Sequence, residues 1–346
     1  MDAELVDPLE DARWARLVAG APGALVFHTP AWLRLLRRQY GYELAAWCVR
    51  DGDRLVAGLP VARVVSRLTG RRLVAIPFCD LCGPLVQRDA APEAEAALLR
   101  LIAAERARAG LDLEIHEAVA GLDGAQPSQR FWHHAVPLSR DVEAVEAAFT
   151  KSQVKRGARK ARKEGLGLER RTDAAALDAF YGLHLATRRR QGVPIQPRRF
   201  IRRFAELFAD GLGFVALVGE DGAPPAAAAV FLTFGDTVTY KYGASDPGQL
   251  RRRPNNLLFL DVIHWACAEG YEQLDLGRTD LDNEGLREFK LSWGARERDV
   301  AYTFLSDGRR APSRRSGGSR AVQAVLRRSP PVVSRVVGEA LYRHFP

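Results

Sequence analysis

The stretch that decides the fold is TVTYKYGASDPGQLRRRPNNLLFLDVIHWACAEGYEQLDLGRTD, residues 237–280. It begins with a β-branched and aromatic segment typical of a strand and continues through a loop rich in Pro and Arg. Apolar residues then predict a helix over Asn256–Glu269, and Gly270 ends it because glycine readily adopts the left-handed conformation of a helix terminus. A second strand follows. This order of strand, helix and strand indicates an α/β fold.

The first half of the chain repeats this order of elements. It predicts a helix near Ala31–Tyr40, alternating strands, a helix over Glu93–Ala109 and a further strand after Gly110. Hairpins with Asp-Gly turns also correspond, since Val49–Ala57 aligns with Val218–Ala226. We interpret the two halves as a degenerate duplication of one α/β unit.

Composition is that of a folded protein with a basic surface. The 346 residues are 47% hydrophobic, which excludes disorder of the whole chain, and 51 Lys and Arg face 42 Asp and Glu. The net charge of +9 fits either an anionic partner or a solvated surface. The acidic N-terminus lacks a secretory signal, and no apolar stretch reaches the ~18 residues of a membrane span. We therefore expect a cytoplasmic protein, with peripheral contact to the inner face of the membrane as the alternative.

Four cysteines are too few for a disulfide framework in a chain of this length. Cys79 and Cys82 form a C-x-x-C motif, but no second C-x-x-C or H-x-x-x-H completes a zinc site. We predict no metal and interpret the motif as a packed loop. The phosphate-binding motifs of ATP and dinucleotide enzymes are missing as well, so no bound cofactor is expected.

A basic segment, TKSQVKRGARKARKEG, separates the two halves. As a helix it has charges on every side and only Val154, Ala158 and Ala161 as a thin packing face. Such a helix is either a solvated linker or a contact to phosphates. The residues predicted to bind donor phosphates are Lys155, Arg156 and Arg159 of this segment, with Arg252 of the Arg-rich loop.

The C-terminal part combines a flexible basic linker with a segment, SPPVVSRVVGEALYRHFP, whose apolar residues recur at helical spacing. That helix either packs back on the protein or binds anionic lipid. The predicted organisation is a first domain over residues 1–150, a basic connecting helix over 151–165, a second domain over 166–307, and the linker with the C-terminal helix over 308–346.

Charged residues are densest just after the last repeat strand, in LDLGRTDLDNEGLREFKLSWGA. The carboxyl end of a strand is the usual ligand crevice of an α/β sheet. Asp282 or Asn283 also suits the N-cap of a following helix, which explains part of the pattern without catalysis.

Amide formation by acyl transfer fits the remaining charges of this run. The reaction needs an unprotonated amine and a positive group where the tetrahedral oxyanion develops. Lys290 beside Phe289 supplies that charge, and Asp280 orients or deprotonates the amine. The predicted catalytic residues are Lys290, Asp280 and Arg278. A serine route is disfavoured because no G-x-S-x-G turn is present.

These segments resemble the Fem family of aminoacyltransferases and related GNAT-like acyltransferases. The similarity extends over nearly the whole chain and includes FHTPAWLRLLRRQYG, VKRGARKARKEGLGLE and FYGLHLATRRRQGVP, with the block TYKYGAS to LREFKLSWGA as its most specific part. The resemblance implies two tandem GNAT-like domains with mixed central sheets flanked by helices. It also implies transfer of an amino acid from aminoacyl-tRNA to an amine of a peptidoglycan precursor.

The resemblance assigns roles to single residues. Phe289 and Lys290 match the family's Phe-Lys pair at the aminoacyl end, and Arg190 lies in a segment that holds an arginine for the acceptor's phosphates. The family often has Lys four residues after the Trp matching Trp32, whereas this chain has Leu36 with Arg37 beside it. The complete predicted substrate-binding set is Phe289, Arg190, Arg37, Trp32, Lys241, Tyr242, Asn255, Asn256 and Asp282.

Two alternatives remain at this point. Ordinary acetyltransferases of this superfamily have a Gly-rich loop that binds the pyrophosphate of CoA, whereas this chain reads PGQLRRRPNNLL at that position. The missing glycines disfavour acetyl-CoA as the donor. Side chains of Arg251, Arg252 and Arg253 still suit a phosphate, so an acyl-CoA-dependent N-acyltransferase acting on an amino sugar is the second hypothesis. A non-catalytic module that binds glycan or nucleic acid is the third.

Overall fold

The computed structural model describes residues 1–150, 152–308, 335–339 and 342–344. They form two compact units. The described part of unit 1 consists of residues 1–131, 299–308 and 343–344, and that of unit 2 consists of residues 132–150, 152–298, 335–339 and 342.

Unit 1 is a mixed sheet with helices. Its elements are β1 (Asp2–Val6), α1 (Ala12–Gly20), α2 (Pro30–Tyr40), β2 (Glu43–Asp51), β3 (Arg54–Ser66), β4 (Gly70–Ala75), β5 (Leu85–Val86), α3 (Glu93–Ala109), β6 (Leu113–Ile115) and the part of β13 (Arg296–Leu305) from residue 299 onward. The strand order is β1-β2-β3-β4-β6-β13, and β5 pairs with β3. These neighbouring strands pair antiparallel except β4 and β6, which are parallel and connected by α3.

Unit 2 repeats this plan. Its elements are the part of β7 (Gln126–Pro137) from residue 132 onward, α4 (Val142–Ala147), α5 (Gln153–Lys163), β8 (Gly167–Arg171), α6 (Ala174–Gln191), α7 (Arg198–Arg202), α8 (Phe204–Ala209), β9 (Gly213–Gly219), β10 (Ala227–Phe234), β11 (Thr237–Ser245), α9 (Pro254–Glu269), β12 (Gln273–Asp280) and α10 (Glu284–Leu291). The strand order is β7-β12-β11-β10-β9-β8. The parallel pair is β11 and β12, connected by α9. The predicted fold class, α/β with mixed sheets flanked by helices, is confirmed.

A β-bulge in β11 determines which side chains face which layer. Phe231 pairs with Tyr240 and Val230 pairs with Tyr242, so Lys241 is the extra residue. Because the register shifts by one residue, Tyr240 and Tyr242 point to opposite faces of the sheet. Tyr240 packs on Phe259 of α9, and Tyr242 packs towards α6 and α8.

The parallel pair of each unit is hydrogen-bonded over only three residue pairs. In unit 2 the pairing ends at Thr239 and Asp275, although both strands continue. In unit 1 it ends at Ala75 and Ile115. In unit 2 the two strands therefore separate into an opening at their carboxyl ends, where ligands of α/β sheets usually bind. In unit 1 the pairing stops at the equivalent place, where both strands themselves end. The repetition of this detail supports the duplication inferred from the sequence.

Boundaries differ from the predicted ones where local packing is stronger than the sequence pattern. We predicted a first domain ending at residue 150, but the chain divides after Phe131, since Val136, Val145 and Val154 belong to the core of unit 2. Residues 198–209 form two short helices, α7 and α8, which are separated at Arg203. Most of the predicted C-terminal segment, residues 308–346, lies outside the described residues, as does Lys151.

The basic helix α5 packs against α9 through its small residues. The predicted face of Val154, Ala158 and Ala161 is buried together with Gly157. A Cβ at Gly157 would lie 2.7 Å from Cγ and 3.0 Å from Cβ of Asn256, so the two helices touch where no side chain fits.

Replacing Gly157 by Ala tests this packing against a matched glycine in another helix. Gly157→Ala should lower the free energy of unfolding by about 1–3 kcal/mol, because the Cβ of Asn256 cannot rotate away. Gly182→Ala in α6 meets nothing within 4 Å and should raise stability by about 0.5–1 kcal/mol. Urea denaturation of both variants measures the difference, and a Gly157→Ala protein at least as stable as the parent would contradict the contact.

Candidate active site

The opening between β11 and β12 in unit 2 is where the chemistry predicted from the sequence converges. The bulged residue Lys241 lies on β11 beyond the last parallel pair. A β-bulge interrupts the regular ladder locally and re-aims the side chains next to it. Opposite the bulge lie Gly277, Arg278, Thr279 and Asp280 of β12.

Lys290 of α10 fixes the end of β12. Its side chain is buried, with 4% of its surface exposed, and its Nζ donates to the carbonyl oxygens of Gly277 and Arg278, both at 2.9 Å. Gly277 has φ of +70°, a conformation that favours glycine. The backbone turns at this point, and its carbonyls are held by the ammonium group. Phe289 packs on Phe259 and Trp293 of the core beside it.

Two histidines of β7 connect β12 to its surroundings. His133 Nε2 lies 2.8 Å from Oδ1 of Asp275, and the same oxygen accepts the N–H of Gly277. His134 Nε2 lies 3.0 Å from Glu297, and its Nδ1 lies 3.4 Å from the hydroxyl of Thr279. Burial and the nearby Lys290 hold the pKa of His134 below its usual value. His134 is therefore neutral near pH 7.

A second polar cluster lies on the opposite side of β11, under α6. Arg188 donates twice to the carbonyl of Pro194, and burial lowers the pKa of its guanidinium. The phenol groups of Tyr242 and Tyr342 face it. Gln196 donates through Nε2 to Tyr342 Oη at 3.1 Å, and its Oε1 accepts from His184 Nε2 at 2.7 Å. We call these five residues, Arg188, His184, Gln196, Tyr242 and Tyr342, the Arg188 cluster.

Not every predicted residue reaches the opening. Arg190 is exposed at the end of α6, whereas Arg188, two positions earlier, is half-buried and binds the carbonyl of Pro194. Trp32 and Arg37 belong to unit 1, where Trp32 is fully buried against Phe27 and Arg37 pairs with Asp7 at 2.7 Å. Their side chains therefore serve the core and surface of unit 1 in this structure.

The remaining predicted residues divide into those at the opening and those with other partners. Lys241, Arg278 and Asp280 lie on β11 and β12 at the opening, and Phe289 and Lys290 lie beside it on α10. Tyr242 lies on β11 in the Arg188 cluster. Asn255 is half-buried in the first turn of α9, Asn256 packs on α5, and Asp282 is exposed in the turn before α10, whose N-cap is Asn283. Lys155 pairs with Glu146, and Arg252 pairs with Glu164 and Glu220. Arg156 and Arg159 are exposed and make no ion pair within the described part of the chain.

Sequence reasoning missed His134 and every member of the Arg188 cluster except Tyr242. A signal for Arg188 was present, because the buried positions of α6 are Leu177, Phe180, Tyr181, His184 and Thr187, and Arg188 continues this face while Arg190 does not. His134 carried no comparable signal, since Glu297 and Thr279 are distant in sequence and meet it only through the sheet. No group of three His, Cys, Asp or Glu residues that suits a metal ion exists among the described residues.

A comparison with protein-family models matches residues 148–291 to the acetyltransferase (GNAT) domain. Unit 2, with its bulged β11 and its opening at β12, thus has the fold and the sequence pattern of this acyltransferase superfamily. The coarser prediction, an acyltransferase of the GNAT superfamily, is confirmed. A search of curated protein sequences gave no match.

The solved structures show the same fold along the chain. The structure of FemX is 16% identical, with a TM-score of 0.70, over 89% of this chain and 98% of FemX. L-PGS from Bacillus licheniformis is 14% identical, with a TM-score of 0.52, over 89% of this chain and 97% of its own. A tandem GNAT protein from the clavulanic acid biosynthesis pathway is 15% identical, with a TM-score of 0.55, over 89% and 100%. The resemblance to the FemX-type tandem arrangement predicted from the sequence is confirmed at the level of fold.

None of the described helices has the length and apolar character that crossing a membrane requires.

The buried His184 gives unit 2 a defined dependence on pH. Burial, and then the nearby Arg188, lower the pKa of His184 to about 3 from 6.5, against a smaller opposing effect of Gln196. Below pH 6.5 His184 binds a proton in the unfolded chain but stays neutral in the folded chain. The free energy of unfolding is therefore fully retained above pH 6.5 and decreases as the pH falls towards 3.

Between pH 7 and pH 5 the free energy of unfolding of the parent should therefore fall by up to about 2 kcal/mol more than that of His184→Gln, because glutamine does not titrate. Urea denaturation of both proteins at the two pH values measures it. Equal losses in parent and variant would show that His184 is accessible to protons in the folded state.

Proposed function

We propose that this protein transfers an amino acid from aminoacyl-tRNA to an amine of a peptidoglycan precursor or a similar amine-bearing glycan. The fold supports an N-acyltransferase of the GNAT superfamily, and FemX and L-PGS, a lysylphosphatidylglycerol synthetase, are among its structural neighbours. The finer choice of donor and acceptor rests on the residues around β11, α5 and α6.

The observation that carries the donor assignment is the segment between β11 and α9. Pro247–Arg252 form a 3-10 helix, and the Asp246 carboxylate accepts the N–H of Gly248 at 2.9 Å. A carboxylate at this position occupies a main-chain donor and repels a pyrophosphate. Arg252 is engaged by Glu164 and Glu220. This segment is therefore poorly suited to bind CoA through its backbone.

The basic helix α5 offers a different kind of anion contact. It packs on the first turn of α9 at Asn256, which covers the end of α9 nearest the opening. Its outer side presents Arg156, Arg159 and Lys163, all exposed and without an ion pair among the described residues. Their spacing places three positive charges along about 10 Å of one side of the helix. Such a row suits the successive phosphates of a nucleic-acid backbone better than a single pyrophosphate.

The Arg188 cluster supports an anionic acceptor. The Arg188 guanidinium donates to the carbonyl of Pro194 and faces the phenol groups of Tyr242 and Tyr342. His184 is neutral and adds no charge to the cluster. A phosphate or carboxylate of the acceptor would complete the pairing of this half-buried cation. The acceptor role that the family resemblance assigned to Arg190 is thus better supported for Arg188.

The reaction needs few chemical groups from the protein. The acceptor amine attacks the ester carbonyl, the tetrahedral oxyanion forms and collapses, and the ribose oxygen leaves with the proton that the amine gives up. Lys290 acts through the two peptide groups it binds, because its charge polarises them and holds the end of β12 in place. Asp280, whose carbonyl oxygen accepts the N–H of Asn283 in the turn before α10, has the proposed role of orienting the amine.

An acyl-CoA donor is the second candidate. Arg251 and Arg253 are exposed on the same segment, and the matched family model is an acetyltransferase domain. Side chains rather than the backbone would then hold the pyrophosphate.

The donor is decided by incubating the protein with total aminoacylated tRNA and, separately, with a panel of acyl-CoAs, each with amine-bearing cell-wall precursors. The measured quantity is protein-dependent loss of each acyl ester. Acceptor-dependent consumption of one aminoacyl-tRNA is expected, and consumption of an acyl-CoA with every tRNA unchanged would replace the proposal by the second candidate.

The double variant Arg156→Glu/Arg159→Glu tests the role of α5 in the same assay. Its KM for aminoacyl-tRNA should rise at least about tenfold with kcat nearly unchanged, because repulsion from phosphates weakens binding without altering the reacting groups. The control Arg67→Glu/Arg100→Glu makes the same charge change at two exposed residues of unit 1 and should keep the parental KM. Equal effects of both variants would assign the change to net charge alone.

Lys290→Met tests the buried ammonium group. The variant keeps the length of the side chain but leaves two carbonyls without their donor, so kcat should fall by at least about tenfold and the free energy of unfolding by about 1–3 kcal/mol. Lys290→Arg keeps the charge and should recover part of the activity. Parental kcat in Lys290→Met would remove Lys290 from the catalytic arrangement.

A further inference from the structure

Unit 1 contains the counterpart of the opening at β11 and β12, and it is filled by the C-x-x-C loop. The pairing of β4 and β6 ends at Ala75 and Ile115. The loop that follows β4 folds into the gap, where Cys82 forms an antiparallel bridge with His116, the residue after β6. The position that binds ligands in an α/β sheet thus holds two thiols in this unit.

The backbone leading into the loop is strained. Ile76 and Phe78 have φ of +50° and +63°, a region that residues with a Cβ rarely adopt, and both side chains are buried. Such conformations persist only where the surrounding structure enforces them, and they concentrate at functional sites. Here they direct Cys79 towards His116.

Cys79 belongs to a relay of three side chains. Its Sγ lies 3.4 Å from Nδ1 of His116 and 2.9 Å from the carbonyl of Ile76, and Nε2 of His116 lies 3.2 Å from Glu114. With Nε2–H directed to Glu114, Nδ1 is the nitrogen that accepts a proton from the thiol. Tyr302 stacks on the imidazole at 4.5 Å and donates its hydroxyl to the carbonyl of Asp80 at 2.7 Å, which fixes ring and loop together.

The protonation states of the relay agree with this geometry. Burial alone would lower the pKa of His116, but Cys79 and Glu114 outweigh it and raise the pKa to about 9. The imidazole therefore carries a proton near pH 7 beside the sulfur of Cys79.

Cys82 has the complementary properties of a resolving thiol. It is hydrogen-bonded to Cys79, and burial raises its pKa well above the usual range, so it keeps its proton. His28 lies 3.4 Å from its sulfur, but Nδ1 of His28 accepts the N–H of Leu25 and Nε2 faces the carbonyl of Gly83. His28 thus has no free nitrogen to deprotonate Cys82.

We propose that Cys79 and Cys82 form a redox-active dithiol in unit 1, in which Cys79 is the nucleophile, His116 its proton acceptor and Cys82 the resolving thiol, with a peroxide as oxidant. The Cys79 thiolate attacks one peroxide oxygen, the O–O bond breaks, and hydroxide leaves as water with the proton held by His116. The Cys79 sulfenic acid is then attacked by Cys82, a disulfide forms, and a second water leaves. Two thiols are oxidised and one hydrogen peroxide is reduced to two waters.

A metal site is the competing explanation for two Cys and two His in one place. Within the described residues, no three of these side chains converge as a metal ion requires. The paired geometry, one imidazole to each thiol, fits proton transfer rather than tetrahedral coordination.

The other two cysteines are internal controls. Cys48 and Cys267 are buried and free, and burial raises the pKa of each thiol. Global unfolding would expose all four thiols alike, whereas opening of the loop exposes Cys79 and Cys82 alone.

The native full-length protein, treated with hydrogen peroxide, is digested and analysed by mass spectrometry over time. We expect a disulfide between Cys79 and Cys82 and oxidation of Cys79 at least about tenfold faster than of Cys48 or Cys267. Cys82→Ser should accumulate a Cys79 sulfenic acid that dimedone traps. His116→Gln should slow the oxidation of Cys79 to within about threefold of Cys48, and Glu114→Gln should lie between it and the parent.

Circular dichroism separates these effects from misfolding, and Glu114→Gln provides the same test if His116→Gln does not fold. Oxidation of all four cysteines at similar rates, or a disulfide that joins another pair, would overturn the proposal. So would zinc bound at one equivalent per chain and lost in Cys79→Ser, which would establish the metal site instead. None of these outcomes depends on the acyltransferase activity.

Discussion

The rest of the structure depends on the short hydrogen-bonded contact between the parallel strands of each unit. Three residue pairs hold β11 to β12 and three hold β4 to β6, and the parallel pairing stops after the third pair in both units. A parallel pair that closed fully would leave no main-chain groups for a ligand. The bulge at Lys241 and the turn at Gly277 maintain the separation in unit 2. Both are local features, held by side chains from neighbouring layers.

The two units use the same opening in different ways. In unit 2 it is lined by polar residues of β11 and β12, with Lys290 buried behind it. In unit 1 the loop after β4 enters it and is fastened by Tyr302 and the Cys82 bridge. A duplicated fold can therefore retain one opening for substrate while the second acquires a different chemistry.

Most of the fold was predictable because it is encoded by local patterns. Helix α3 was predicted at its observed bounds, and Gly110 and Gly270 end α3 and α9 in the left-handed conformation expected of them. Both Asp-Gly hairpins form. The site was predicted less completely, because the partners of His134, His116 and Arg188 are distant in sequence. The spacing of α6 identified the arginine that turns inward, but the family resemblance directed attention to Arg190.

The bonds of Lys290 have a consequence for sequence comparison. Because its ammonium binds main-chain carbonyls, no particular side chain is required at residue 278 for the contact to form. What is required is a residue at 277 that tolerates positive φ. Among diverging relatives, the residues at positions 277 and 290 should therefore change together, whereas the residue at position 278 should vary with the substrate. The coupled pair, rather than the charged residue at 278, then identifies this strand end in distant relatives.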